Sequence, residues 1–263
     1  MPRRLGSLLP MAFLGLLLSG ALAGAEPISP TERRSGFDQM SSEIQAMQRD
    51  DGANPGMLAV ADGEDLWTKA PPSGRPACAG CHGAASSTMR GVATRYPAWD
   101  AQTQKPIDLQ TRVNTCRREY QGVEPLAYES PDLLALTAFI AAQSRGLPMT
   151  PPDDPRLDPT RAEGRTLFEA RQGQLGLSCA ICHDDHWGRH LGAAVIPQGH
   201  PTGYPLYRLE WQGLGSLQRR LRNCLTGMRA EPFGYGAPEY IALELYLATR
   251  AAPLPLETPA VRP

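Results

Sequence analysis

Two stretches of the chain carry the same five-residue arrangement, Cys78-Ala79-Gly80-Cys81-His82 and Cys179-Ala180-Ile181-Cys182-His183. Two thiols spaced by two residues can add across the two vinyl groups of one haem. The adjacent imidazole then faces the iron as proximal ligand. The spacing predicts two covalently bound haem c groups, one on Cys78 and Cys81 with His82, the other on Cys179 and Cys182 with His183. A zinc site would want four ligands together, whereas the two pairs stand about a hundred residues apart. A thioredoxin-like dithiol has no need of the following histidine.

Each iron requires one more axial ligand. The two remaining cysteines, Cys116 and Cys224, follow their proximal histidines by 34 and 41 residues. Their matching places predict a thiolate distal to each iron. A metal-bound thiol is deprotonated outright, and its negative charge favours ferric iron and a low potential. Other donors compete. Outside the cytosol, leftover cysteines tend to pair, so a Cys116–Cys224 disulfide is the plain alternative. Met89, Met149 and Met228 are rival ligands, although none has a counterpart in the other half. His186, His190 and His200 follow the second motif and read as surface or supporting residues.

Arg220 lies four residues before Cys224, so a helix there puts both on one face. A guanidinium near a thiolate stabilises it and offers a fork to an oxyanion, and thiosulfate fits that chemistry. The competing use of Arg220 is to hold a haem propionate. Arg219 and Arg222 read as solvent-exposed. Arg112 precedes Cys116 by the same four residues, so this arrangement alone does not say which haem is reactive.

The frame that positions these groups repeats. Gly63 and Trp67 precede the first motif as Gly164 and Phe168 precede the second. Tyr96-Pro97 matches Tyr204-Pro205, Glu124-Pro125 matches Glu231-Pro232, and Phe139-Ile140 falls on Tyr246-Leu247. Each half therefore reads as opening helix, haem motif, long loop, distal segment and closing helix. Asp158-Pro159-Thr160 starts the second opening helix, and Ser130-Pro131 and Ala237-Pro238 start the closing helices. Glycine in each opening helix lets an aromatic of the closing helix approach. The expected fold is all-α: two tandem class I cytochrome c-like domains related by internal duplication, after an N-terminal helical extension. Phe37, Met40, Ile44 and Met47 line one face of a single helix in that extension. The expected boundaries are 26–50 for the extension, 51–147 and 158–252 for the two haem domains, 148–157 for the linker and 253–263 for a C-terminal tail.

Arg3 and Arg4, an apolar run from Leu8 to Leu18, and Ala21, Ala23 and Ala25 read as a cleaved signal peptide over residues 1–25, giving a periplasmic protein. The run is short for a membrane anchor, and no later segment is expected to span a bilayer. Without those residues the chain has 24 basic and 27 acidic residues, a net charge of −3, which gives no reason to expect nucleic acid.

The segment Arg220-x-x-x-Cys224-x-x-x-Met228-Arg229-Ala230-Glu231-Pro232, together with both haem motifs, resembles the SoxA family. These are dihaem subunits of thiosulfate-oxidising cytochrome complexes. The resemblance runs from the helix near Phe37 to Thr249. It implies an L-cysteine S-thiosulfotransferase whose second haem is the active one. By the same resemblance Cys224 would be its distal ligand and carry a persulfide, Arg220 would bind substrate, and Cys116 would be the distal ligand of the first haem. The implied partners are a SoxX-type monohaem cytochrome subunit, a SoxYZ-type sulfur-carrier protein and a cytochrome c electron acceptor. A non-catalytic dihaem electron carrier is the competing reading, and it predicts Met or His ligation. A dihaem peroxidase would need an iron that opens a coordination site, which two matched cysteines oppose.

Overall fold

A computed structural model describes Met1 and residues 28–263. Apart from Met1, the expected signal peptide lies outside the described residues. The N-terminal extension is not one helix. A 3₁₀ turn over Gly36–Gln39 ends at Met40, and α1 (Ser42–Arg49) starts afresh behind its cap, Ser41. Two serines so close together, Ser35 and Ser41, each accept a backbone N–H and divide the segment.

Two crossed helix pairs form the frame. In the first half α2 (Gly56–Thr68) packs on α6 (Pro131–Ala142), with α3 (Cys78–His82), α4 (Ala85–Thr88) and α5 (Leu109–Cys116) between them. In the second half α7 (Asp158–Glu169) packs on α10 (Pro238–Ala251), enclosing α8 (Cys179–His183) and α9 (Leu217–Gly227). The glycines decide how closely the pairs approach. A Cβ on Gly63 would stand 2.2 Å from the Ala135 carbonyl oxygen and 2.7 Å from Cβ of Phe139. A Cβ on Gly164 would stand 2.0 Å from the Ala242 oxygen and 2.8 Å from Cβ of Tyr246. Trp67 and Phe168, one turn further along, then pack against Phe139 and Tyr246 at ring distances of 5.9 and 5.4 Å. The expectation that glycine admits the closing aromatic is met in both halves.

The closing helices are buried on nearly every face, from Leu133 to Ala141 in α6 and from Tyr240 to Leu245 in α10. Each has its own half on one side and the other half on its opposite side. Ala141 of α6 shares a small core with Ala248 and Ala251 of α10 and with Met149 and Leu256. Nearby, Asp108 caps α5, and the buried Gln218 of α9 donates to its carboxylate at 3.1 Å. Tyr128 and Tyr235 stack across the same seam at 6.1 Å.

The fold is helix-rich but not all-α. Strands β1 (Ala98–Asp100) and β2 (Lys105–Ile107) form a hairpin, with Asp100 opposite Lys105. A second small hairpin joins β3 (His190–Leu191) to β4 (Ala194–Val195). A third joins β5 (Leu206–Arg208) to β6 (Gly213–Gly215), with Arg208 opposite Gly213. The C-terminal segment is not a loose tail. Its last strand, β7 (Val261–Arg262), lies parallel to β5, and Leu256, Ala260 and Val261 are buried. Strands this short carry no readable alternation; long-range pairing makes them. Among the described residues no helix is long and apolar enough to cross a membrane.

Candidate functional site

In the second half, α8 carries the Cys179–His183 motif, and Ser178 caps its first turn by accepting from the Ile181 N–H at 3.3 Å. The His183 imidazole is held from three sides. Its Nδ1 lies 2.6 Å from the Pro197 carbonyl oxygen. A carbonyl can only accept, so Nδ1 carries the proton and Nε2 is left bare as a metal donor. The Phe168 ring lies 6.4 Å away. Gly199, at φ +75°, passes over the ring so closely that a Cβ there would meet Cγ at 3.1 Å. Arg250 secures the base of the site through an ion pair with Asp184 at 2.5 Å and a guanidinium 4.5 Å from the Phe168 ring.

Helix α9 brings the opposite wall. Ser216 caps it by accepting from the Arg219 N–H at 3.1 Å, and the helix places Arg220 and Cys224 on one face. Burial pushes the Cys224 thiol up. The His183 imidazole facing it and the charges of Arg220 and Arg208 outweigh that and hold it below the ordinary thiol value. Burial and the Cys224 charge push Cys179 up to about 12, and the same causes raise Cys182. The two attachment thiols, the imidazole and Cys224 thus share one small volume, with Arg220 beside them. Among the described residues no carboxylate pairs with Arg220.

The first half repeats this with different electrostatics. Cys78, His82 and Cys116 line one cavity of about 540 Å³ with Val92, Val113 and Ile140. That volume is in the range of cofactor pockets. Trp67 donates to the Gly83 carbonyl at 3.2 Å, and its ring lies 5.6 Å from His82. Gln121, in a widened π turn that follows Cys116, donates to the Pro76 carbonyl and approaches the Cys78 sulfur at 3.8 Å. Burial raises the Cys116 thiol in spite of the Arg112 charge. Arg112 is itself engaged by the Asp100 carboxylate at 3.5 Å.

These residues fit haem c. The first cavity is lined mainly by apolar side chains, Cys78 and His82 face it, and Arg95, Arg112 and Arg117 stand on its wall, where propionates would need cations. No three His, Cys, Asp or Glu side chains converge as a bare metal ion would require among the described residues. All six cysteines are free, so the Cys116–Cys224 disulfide is not formed. Of the rival ligands, Met89 lines the first cavity, while Met149 and Met228 are buried in apolar clusters. His186 and His190 are exposed. His200 holds the Arg34 carbonyl at 2.8 Å, and burial lowers its pKa to about 4, which makes it a neutral supporting residue.

The family model described as SoxA/TsdA, cytochrome c domain, matches residues 62–149 and again residues 163–256. The chain belongs to the SoxA/TsdA cytochrome c family. Within the family its similarity is to SoxA. The L-cysteine S-thiosulfotransferase subunit SoxA of Pseudaminobacter salicylatoxidans is 38% identical over 88% of this chain and 81% of its own length. The subunit of the same name from Paracoccus pantotrophus is 34% identical over 87% and 78%. The crystal structure of SoxXA from P. pantotrophus superposes with a TM-score of 0.84 at 34% identity, covering 88% of this chain and 87% of that one.

Two features of this SoxA-family chain differ from the sequence reading. Arg219 and Arg222 are half-buried rather than free in solvent. Arg219 lies 4.3 Å over the Trp211 ring, and Arg222 lies 4.7 Å over Tyr235 and donates to the Phe233 carbonyl. The other feature is Arg208, whose charge bears on both Cys224 and Arg220. It sits in a three-residue strand with no pattern of its own. The signal that reveals it is the constant spacing of 108 residues from Tyr96 and Tyr204 through Cys116 and Cys224, which sets Arg208 against Asp100.

Proposed function

We propose that this chain is the catalytic subunit of a periplasmic L-cysteine S-thiosulfotransferase with two covalently bound haem c groups. The observation that carries the reading is Cys224, a thiol set opposite the His183 imidazole with Arg220 one turn before it on α9. The haem domains span 51–147 and 158–252, joined by 148–157, preceded by the 26–50 extension and followed by 253–263. An N-terminal signal peptide over residues 1–25 would direct export.

His82 and His183 would be the proximal ligands, and Cys116 and Cys224 the distal ones. Cys78 and Cys81 would attach the first haem, and Cys179 and Cys182 the second. Arg220 anchors the sulfonate end of thiosulfate by charge-assisted hydrogen bonds. The outer sulfur of thiosulfate then bonds to the sulfur held at Cys224, and that coupling releases two electrons. Bound haem c supplies the acceptor for them. The thiolate of a carrier protein attacks the transferred sulfur, and Cys224 departs with the sulfur it held before. The balance is one thiosulfate and one carrier thiolate in, one carrier S-thiosulfonate and two electrons out.

The partners on this reading are a SoxX-type monohaem cytochrome, a SoxYZ-type carrier and a cytochrome c electron acceptor. The likeness to SoxXA supports the first. The test replaces Cys224 with Ser in the complete complex. Thiosulfate-dependent reduction of the acceptor is expected to fall at least about a thousandfold, as for loss of a covalent nucleophile. Both haems are expected to remain attached. Parental activity in that variant would overturn the proposal.

A further inference from the structure

The two halves coincide element by element across the distal segment at a spacing of 108 residues. Strand β1 falls on β5, β2 on β6, and the helix caps Asp108 and Ser216 coincide, as do Arg112 with Arg220 and Cys116 with Cys224. At one place in this register the charge reverses. Asp100 closes β1, and Arg208 closes β5.

The consequence is geometric. In the first half Asp100 is buried and its carboxylate takes two uses. It accepts from the backbone N–H and the hydroxyl of Thr103 at 2.8 and 2.6 Å, fixing the hairpin turn, and it pairs with Arg112 at 3.5 Å. The cation beside Cys116 is thereby answered within the protein. In the second half the same place holds a guanidinium. Arg208 is mostly buried, its side chain 15% exposed. Its Nε donates to the exposed Glu210 at 3.0 Å, and the guanidinium lies 5.3 Å from the Trp211 ring. Trp211 fills the turn where Thr103 stands in the first hairpin, and it can lie there because residue 215 is glycine. A Cβ at that position would meet the ring at 2.3 Å. Arg220 stands one turn before Cys224 on α9, and Arg208, at the end of the strand paired to the one leading into that helix, acts on both. Among the described residues only Arg208 has a carboxylate partner, on its solvent side. Like charges set together in a half-buried site favour an anion between them.

We propose that Arg208 is a second substrate-binding residue, which with Arg220 seats the sulfonate end of thiosulfate, and that Asp100 at the matching place withholds Arg112 from that use in the first half. This rests on the function proposed above. The reversal of one charge then accounts for why two sites with the same haem ligands differ in reactivity.

The test measures steady-state thiosulfate oxidation by the holoenzyme complex with its carrier protein, comparing the parent with Arg208→Gln, Arg208→Lys and Arg220→Gln. Losing one charge-assisted contact is expected to raise the KM for thiosulfate roughly 10- to 100-fold in Arg208→Gln, with kcat little changed. Arg208→Lys is expected to recover part of the loss, and the carrier KM to stay at the parental value. A thiosulfate KM within about twofold of the parent in Arg208→Gln, with Arg220→Gln impaired, would overturn this inference and leave the proposed function standing. A shift confined to the carrier KM would also overturn it, because that would make Arg208 a docking residue. Parental KM values in both Gln variants would remove the proposed substrate site as well.

Discussion

At the scale of single residues, two cysteines in matching places are given different chemistry by their neighbours. Cys116 is raised by burial beside an arginine that Asp100 already engages. Cys224 is lowered by His183, Arg220 and Arg208 acting together against burial. A second contrast lies at the seam. Asp108 caps α5 and accepts from the Thr111 N–H at 2.7 Å, from the Tyr128 hydroxyl at 3.0 Å and from Gln218 at 3.1 Å. Burial raises Asp108, and those donors act against that rise. Glu244 of α10 lies beside it, and burial followed by the Asp108 charge raises it well above the ordinary glutamate range, against the hydrogen bonding of Gln218. A carboxyl raised by folding holds its proton while the unfolded chain loses one. Its contribution is therefore fully present below the ordinary glutamate pKa and is lost as pH rises towards the folded value. Glu244→Gln keeps a donor towards Asp108 and removes the titration. Its denaturant midpoint relative to the parent is expected to be higher at about pH 8 than at about pH 5, as the linkage requires. An unchanged difference between the two would show that Glu244 does not hold a proton at the seam.

At the scale of elements, the crossings of α2 on α6 and α7 on α10 set the distance between each proximal histidine and the wall opposite. Gly164→Ala puts a methyl group 2.0 Å from a backbone oxygen that cannot move without shifting α10. The expected loss is at least about 1–3 kcal/mol in a denaturation curve, the cost of an overpacked core. A variant as stable as the parent would mean that the crossing is looser than described. These crossings were legible in the sequence because a helix keeps its period, so Gly63 with Trp67 and Gly164 with Phe168 announce one face each. The haem motifs were legible because their chemistry requires fixed local spacing. The β1–β2 and β5–β6 hairpins were not. Three-residue strands have no period to read, and Asp100 and Arg208 gain meaning only from what the hairpins bring near. Gln218 donates its amide to Asp108 and accepts from the Gly236 N–H at 2.8 Å. That use depends on a contact between the halves.

At the scale of the whole molecule, the C-terminal segment stitches the structure together. Leu256 exchanges backbone hydrogen bonds with Gly146 and Leu147 at 2.8 Å each, and β7 braces β5, the strand that presents Arg208. The N-terminal extension closes on β7, with Gln48 accepting from the Val261 N–H at 3.1 Å. Chain ends, seam and second site thus form one connected body around Cys224. The most direct measurement of the central claim is mass spectrometry of the mature protein after turnover with thiosulfate. The account predicts two haem additions, on the Cys78–Cys81 and Cys179–Cys182 peptides, and one additional sulfur atom on the peptide containing Cys224 but none on that containing Cys116. A Cys116–Cys224 bridge, or extra sulfur on neither peptide, would contradict it.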